Sequence, residues 1–329
     1  MMISEATDSL SDFEDKRDFR WIDQLSKPAE HIWKHWHRFS ISGLEHIPKG
    51  PALYVGNHNG GLFSIDTFLF VNEAYRKFGI DVVPYGLAHD FLMRAPIKSI
   101  VEKIGGVRAG HEAAAKLFES GRKVLVYPGG DVDSMRPFRE RNRVKFEGRT
   151  GYIRLALKNN VPIIPLVAHG AQGTTYVLSD NQFLARWLRL DKLFRVKVLP
   201  LMLTIPWGIT LGPSPPYIPF PSRITMEVLP PIYFDRSGDA AVEDADYVAQ
   251  CSAAIKCGLR FRRRLRGWPL QLVTLTRSNF LSPICQSNLG TCLIDFACRT
   301  PTIVPIFSSL FLFGPTNKLG SCSMFRFWP

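Results

Sequence analysis

The sequence predicts an α/β fold with a mostly parallel central sheet flanked by helices. Three observations carry this. Short apolar runs bounded by Gly and Pro recur along the chain, and segments of helical length and period separate them. Gly-bearing turns stand at 56–61, 128–130 and 169–173, where apolar runs end. Such alternation builds a parallel sheet covered on both faces, and chemistry collects where its strands hand over to helices.

Residues 1–30 carry Glu5, Asp8, Asp12, Glu14, Asp15 and Asp18 with few apolar anchors, and read as an acidic, mobile or weakly helical extension. A short helix is expected over 31–39, then a turn at Gly43 to Pro48. Residues 52–55 are apolar between Pro51 and Gly56 and form a buried strand, followed by a helix near 64–78. A second strand is expected over 81–86 and helices over 98–104 and 111–120, the latter stopped by Gly121. Residues 124–127 form a third strand ending in Pro128-Gly129-Gly130. A helix over 150–158 stops at Asn159 and Asn160, and a fourth strand covers 161–167. From 181 to 198 Phe183, Trp187 and Phe194 alternate with Arg186, Arg189, Lys192, Arg195 and Lys197, an amphipathic basic stretch. An apolar run over 199–209, a Pro-rich loop over 213–221 and a last strand over 224–229 follow. Residues 239–268 form a C-terminal helix with an acidic start and a basic end.

Composition bounds the function. Of 329 residues, 46% are hydrophobic and 21% charged, which excludes a disordered chain. A formal net charge of +12 calls for anionic partners, nucleic acid or acidic membrane lipid. No RNP, zinc-finger or P-loop pattern appears, so no nucleic-acid partner is expected. All 6 cysteines follow residue 250 without a CxxC pair, so the preceding fold needs no disulfide and a zinc ribbon is disfavoured. No apolar run reaches the ~20 residues that span a bilayer, so any membrane contact is peripheral.

The sharpest local signal is Val55-Gly-Asn-His-Asn-Gly-Gly-Leu-Phe-Ser-Ile-Asp66. A histidine follows a buried strand inside a Gly-rich turn, with an aspartate near the next helix start. An imidazole with an ordinary pKa of about 6.5 accepts a hydroxyl proton near neutrality. A carboxylate on its other nitrogen fixes the tautomer and steadies the imidazolium. Gly60 and Gly61 let backbone N–H groups approach an oxyanion. A lone His–Asp pair more often caps a turn and a helix; the strand-to-turn context shifts the reading towards chemistry.

Asn57-His58…Asp66, Gly105-Gly-Val-Arg108, Val124-Leu-Val-Tyr-Pro-Gly-Gly130 and Val161-Pro-Ile-Ile-Pro165 occur in that order. They resemble the four blocks of the glycerolipid acyltransferase superfamily, over roughly residues 35–235. The resemblance implies an acyltransferase domain over 31–238, peripheral on the cytoplasmic face of an anionic membrane. It implies His58 as general base with Asp66 as its partner. Substrate contacts are expected from Asn57, Gly60, Gly61, Arg108, Gly129, Gly130 and Arg149. It implies no cofactor, acyl-CoA or acyl carrier protein as co-substrate, and a lipid hydroxyl as acceptor attacking the thioester directly; no HExxH or equivalent appears, so no catalytic metal is expected.

Two departures from the family pattern bear on the chemistry. The usual spacing puts the aspartate where Phe63 stands, so either the glycine turn loops out and Asp66 takes the role, or the dyad is altered. The third block lacks its usual Glu and Arg, which resembles the branch acting on acylglycerols and other alcohols. Arg136, Arg139, Arg141, Arg143 and Arg149 offer guanidinium forks to a phosphate. For most of them a solvated basic loop is the plainer reading, and Arg149 or Arg154 can instead pair with Asp131 or Asp133. His89, His111 and His169 read as structural. A hydrolase is the competing enzyme class, yet no GxSxG elbow occurs and Ser64 is the only serine near His58. A non-catalytic anionic-lipid binder is the third reading.

Residues 269–329 nearly lose their charge and show no helical or strand period, so they read as an atypical, non-native tail such as a frame-shifted end. Translating the coding DNA of this segment in every frame is expected to yield a better-patterned continuation; finding none contradicts that origin.

Overall fold

The backbone of the computed structural model turns the buried runs into one twisted sheet and the amphipathic runs into its covering layers. It describes residues 15–264 apart from 63, 91 and 94–96. The segments 1–14 and 265–329, with the atypical tail, lie outside the described residues.

Helix α1 spans Phe19–Pro28 and a π-helical turn over Ala29–Trp33 leads into the short α2, Lys34–Trp36. Strands β1 (Ser40–Ser42) and β2 (Ala52–Gly56) precede α3 (Ile65–Phe78). Next come β3 (Tyr85–Ala88), α4 (Ile97–Lys103), β4 (Gly106–Arg108), α5 (His111–Glu119) and β5 (Lys123–Val126). The short α6 (Gly130–Ser134) and α7 (Gly151–Lys158) lead to β6 (Ile163–His169). A satellite region holds β7 (Tyr176–Ser179), α8 (Gln182–Trp187), α9 (Leu190–Leu193), β8 (Leu201–Thr204) and β9 (Gly208–Leu211). Strand β10 (Thr225–Val228), α10 (Asp239–Glu243) and α11 (Ala245–Arg264) close the described chain.

The main sheet runs in the order β1-β10-β6-β2-β5-β3-β4. Strands β6, β2, β5, β3 and β4 are parallel, whereas β10 lies antiparallel to β6. Every residue of β2 is buried. Its side chains alternate between two cores, as a strand's period of two requires. Leu53 and Val55 pack with Val124, Ile153 and Leu157 beneath α5, α7 and α11. Ala52 and Tyr54 pack with Leu69, Phe70, Ile164 and Leu166 beneath α3. Each such aliphatic or aromatic side chain contributes about 1.5–3 kcal/mol of burial. Strand β2 is therefore the most enclosed strand, and its C-terminal end is a firm base for the turn that follows.

Strands β7, β8 and β9 form a separate antiparallel sheet. Its inner face places Val177 and Met202, with Val198, against Val132, Met135 and Leu62. The apolar run over 199–209 is thus a hairpin, turned at Ile205, Pro206 and Trp207. Several boundaries move from expectation. The strand expected over 81–86 starts at Tyr85, because Ile80–Val82 closes a 3-10 turn and Pro84 has no N–H to give a ladder. Strands β1 and β4 are too short to show a period. The expected mobile extension gives way over 15–28: Arg17 is buried and donates to the Val83 carbonyl at 3.2 Å, its carboxylate partner being Asp15 at 2.7 Å.

Candidate active site

Past Gly56 the chain leaves the sheet in a turn held from three sides. Asn57 stays buried: its Oδ1 accepts the Ala168 amide at 3.3 Å, and its Nδ2 donates to Asn59 Oδ1 at 2.8 Å. The turn is thereby tied to the end of β6. Gly60 and Gly61 follow with φ of 74° and 68°, a left-handed conformation that side chains disfavour. Their amides are already taken, Gly60 by Gln172 Oε1 at 3.1 Å and Gly61 by the Ser134 carbonyl at 3.2 Å.

The third restraint is a buried ion pair. Asp133 and Arg136 stand three residues apart, and both side chains are 0% exposed. Asp133 Oδ2 accepts the His58 amide at 2.7 Å, while Oδ1 accepts the Lys145 amide at 2.9 Å and Arg136 Nη1 at 3.0 Å. Arg136 Nη1 also donates to the His58 carbonyl at 2.6 Å, and its Nη2 donates to Asn59 Oδ1. Both backbone polar groups of His58 are thus gripped by one carboxylate–guanidinium couple. Asn59 Nδ2 donates to Asp66 Oδ2 at 2.8 Å, and Gln172 Nε2 donates to the Ser134 and Arg136 carbonyls at 3.1 and 3.0 Å.

Inside this clamp the His58 ring is partly exposed. It lies 4.7 Å from the Tyr127 ring, tilted by 34°. Its Nδ1 meets Ser64 Oγ at 3.0 Å. Ser64 Oγ also lies 3.1 Å from the Asn59 carbonyl, which can only accept. The single hydroxyl proton therefore goes to Asn59, and Ser64 accepts from Nδ1–H. That assignment leaves the Nε2 lone pair bare. Burial pushes the His58 pKa down to about 4, against a bond to the Asn59 backbone that raises it; the Arg136 charge lowers it further and the Asp131 charge opposes that. The imidazole is neutral at pH 7. Asp66 is pushed up to about 6 by burial, against the bonds from Asn59 and the Thr67 amide.

Several expected roles change. The partner of His58 Nδ1 is Ser64, and Asp66 is bonded to Asn59 and Thr67 instead: the loop carries Ser64 to the ring while Asp66 enters the first turn of α3 and turns inward. Phe63 lies outside the described residues. Gly60 and Gly61 do not present free amides to an oxyanion. Asn57 is a structural anchor. Gly129 is a packing glycine, since a Cβ there would sit 2.2 Å from the Lys145 carbonyl; Gly130 takes φ 53° against the Arg149 guanidinium. Arg149 donates to the Pro128 carbonyl at 2.9 Å and faces Asp131 at 3.8 Å, so the pairing with Asp131 holds for it. Arg108 is exposed and bonded to Asp90 at 2.7 Å, away from the clamp. Arg136, read as a loop cation, is instead fully buried. Asn59, Tyr127 and Gln172 were not singled out as site residues. Ser64 was weighed only as a nucleophile, Asp133 only as a partner of Arg149 or Arg154, and Arg136 only as a phosphate-binding cation.

Removing one member of the couple strands the other. Arg136→Met is expected to destabilise the fold by ~3–5 kcal/mol in chemical denaturation. Ser64→Ala is expected to leave the melting temperature near wild type and to lower any turnover that uses the His58 ring by about tenfold or more, within the ~10²–10⁴ that a positioned base supplies. Equal stability of Arg136→Met and wild type, or full turnover in Ser64→Ala, contradicts these assignments.

The Acyltransferase family model matches residues 38–169, which contain His58, Ser64, Asp133 and Arg136. An uncharacterised Mycobacterium tuberculosis protein is 30% identical over 65% of this chain and 57% of its own length. The DGAT1/2-independent enzyme synthesizing storage lipids of Mus musculus is 25% identical over 59% of this chain and 56% of that one. Phytyl ester synthase 2, chloroplastic, of Arabidopsis thaliana is 27% identical over 43% and 21%. The chain thus spans little more than half the length of the first two relatives. A solved structure, the 1-acyl-sn-glycerophosphate acyltransferase PlsC of Thermotoga maritima, overlaps 74% of this chain and 82% of its own with 16% identity and a TM-score of 0.43. The likeness to the Acyltransferase family thus lies over residues 38–169 and takes in the His58 turn.

Proposed function

We propose that the protein transfers a fatty acyl group from a thioester, acyl-CoA or acyl carrier protein, to the hydroxyl of a lipid alcohol, with His58 as general base. The observation that carries this reading is Ser64 Oγ, 3.0 Å from His58 Nδ1 and 3.1 Å from the Asn59 carbonyl; with the hydroxyl proton donated to that carbonyl, Nδ1–H points to Ser64 and Nε2 is left to accept a proton. Nε2 takes the acceptor's hydroxyl proton as its oxygen attacks the thioester carbonyl. The C–O bond forms, the tetrahedral intermediate expels the thiolate, and the imidazolium returns the proton to sulfur. Ester and free thiol leave, and no acyl-enzyme is formed. Among the described residues no carboxylate is bonded to the ring; the nearby Asp131 charge favours the imidazolium from a distance.

An uncharged acceptor fits better than a phosphate ester. Arg136 is spent inside the clamp, and Arg149 is bonded to Pro128 and faces Asp131. Two relatives, a storage-lipid-synthesizing enzyme and a phytyl ester synthase, point the same way. A mono- or diacylglycerol or a long-chain alcohol is therefore the proposed acceptor, met at a membrane surface. Among the described residues no helix is long and apolar enough to cross a membrane.

A second reading has one observation behind it. Ser64 Oγ lies 3.0 Å from an imidazole nitrogen, as a hydrolase nucleophile would. Its proton, however, goes to Asn59 rather than to the ring. Labelling of Ser64 by a fluorophosphonate would favour hydrolysis through an acyl-enzyme.

Labelled acyl-CoA with a pool of lysophospholipid, acylglycerol and long-chain alcohol is expected to give a neutral ester as main product. His58→Ala is expected to lose about 10²–10⁴ of the rate. Because the folded pKa of His58 lies near 4, below its ordinary 6.5, the base stays unprotonated as pH falls through neutrality. The acid limb of kcat/KM is expected below roughly pH 5, with no inflection near 6.5. The same shift makes folding stability fall as pH drops from 6.5 through 4 at this group, since the unfolded chain binds the proton first. Unchanged turnover in His58→Ala removes His58 from the mechanism.

A further inference from the structure

We infer that the outer face of the β7–β8–β9 sheet, with the basic α8–α9 connection at one end of it, docks onto an anionic lipid bilayer. The sheet has two unlike faces. Val177 and Met202 are fully buried on the inner one, against Val132, Met135 and Leu62. The cross-strand partners Leu203 and Ile209, and Leu201 and Leu211, share the outer one. A solvated antiparallel sheet ordinarily carries polar residues there. Here Ile209 is 68% exposed, and Leu203, Leu211 and Leu178 are exposed with it. The apolar surface continues past the hairpin through Ile205 and Ile218, which form an isolated bridge, to the exposed Trp207. Contiguous exposed apolar surface of this kind marks a contact.

Charge selects the occupant. Residues 180–200 leave β7 and return to β8 where Ser179 pairs with Leu201, so this connection rises from one end of the sheet. It exposes Phe183 at 78% and Trp187 at 71%, and carries Arg186, Arg189, Lys192 and Lys197 against Asp180 and Asp191. An apolar plane with aromatic ends and a cationic border matches acyl chains beneath anionic headgroups. A two-fold contact with a second copy would press the same cationic border towards itself. The inner face of this sheet touches Val132 and Met135, the residues flanking Asp133. A bilayer on the outer face would thus lie one sheet away from the clamp on His58.

The inference deepens the lipid acyl-transfer reading and takes its purpose from it, while its geometry stands independently. The test is flotation of the full chain with vesicles of phosphatidylcholine containing phosphatidylglycerol, against phosphatidylcholine alone, at low and high salt. The wild type is expected to float with the anionic vesicles and to release at high salt. Ile209→Ser/Leu211→Ser is expected to lose about tenfold or more in partitioning, and Arg189→Gln/Lys192→Gln roughly fivefold per charge removed. Quenching of wild-type tryptophan fluorescence by brominated acyl chains needs no variant, and is expected to weaken in Trp187→Phe and Trp207→Phe. Variants that float like wild type, absence of quenching, or conversion of a wild-type oligomer to monomer with flotation unchanged each overturn the surface. Acyl transfer to a detergent-dispersed acceptor separates the two claims. Flotation lost in the variants while the wild type transfers no acyl group leaves the surface standing and removes the enzymatic reading.

Discussion

The site depends on one buried couple, Asp133 with Arg136. Neither side chain meets solvent, and together they bind the amide and the carbonyl of His58 and the side chain of Asn59. Burying two charges costs several kcal/mol per ion unless each finds partners in good geometry. Here the partners are largely backbone groups of a turn that has no secondary structure of its own. The electrostatic need of the pair and the conformational need of the turn are satisfied by the same bonds. The turn becomes as fixed as the sheet from which it emerges.

That rigidity decides what the histidine can be. A base must present a lone pair, and the ring needs something at its other nitrogen to hold it so. Ser64 does this as a neutral acceptor, since its own proton is engaged by Asn59. A serine orients the ring as a carboxylate would, yet gives less help to the imidazolium. Burial makes the same trade, pushing the pKa of His58 down to about 4, so that the base we propose would stay unprotonated across neutral pH but hold a proton weakly. Asp66 is set apart in the same network, holding Asn59, which in turn accepts from Arg136. It supports the turn rather than the ring.

The fold was legible because its signals are local and redundant. Residues 52–55, 124–127 and 161–167 are apolar throughout, as strands covered on both faces must be, and β2, β5 and β6 stand there. The block pattern likewise set His58 in a turn after a buried strand, which is where it lies past β2. The partners of His58 were not legible, because they follow from where a loop bends rather than from spacing. Two left-handed glycines send Ser64 to the ring and Asp66 inward, and no periodic rule registers that. Arg136 read as one cation among five in a loop; only the fold shows it sealed against Asp133. The 199–209 run showed its apolar character and hid its turn, so a single stretch proved to be a hairpin with one face to the core and one to solvent.

These features converge on the protonation state of a single ring. Nitrogen NMR of the His58 imidazole, assigned by comparison with His58→Gln protein and followed across pH, measures it directly. The expected result is a proton on Nδ1, a bare Nε2, and no titration until the pH falls towards about 4. A proton resident on Nε2, or a titration near the ordinary 6.5 of an unhindered histidine, would contradict a clamped, serine-oriented base.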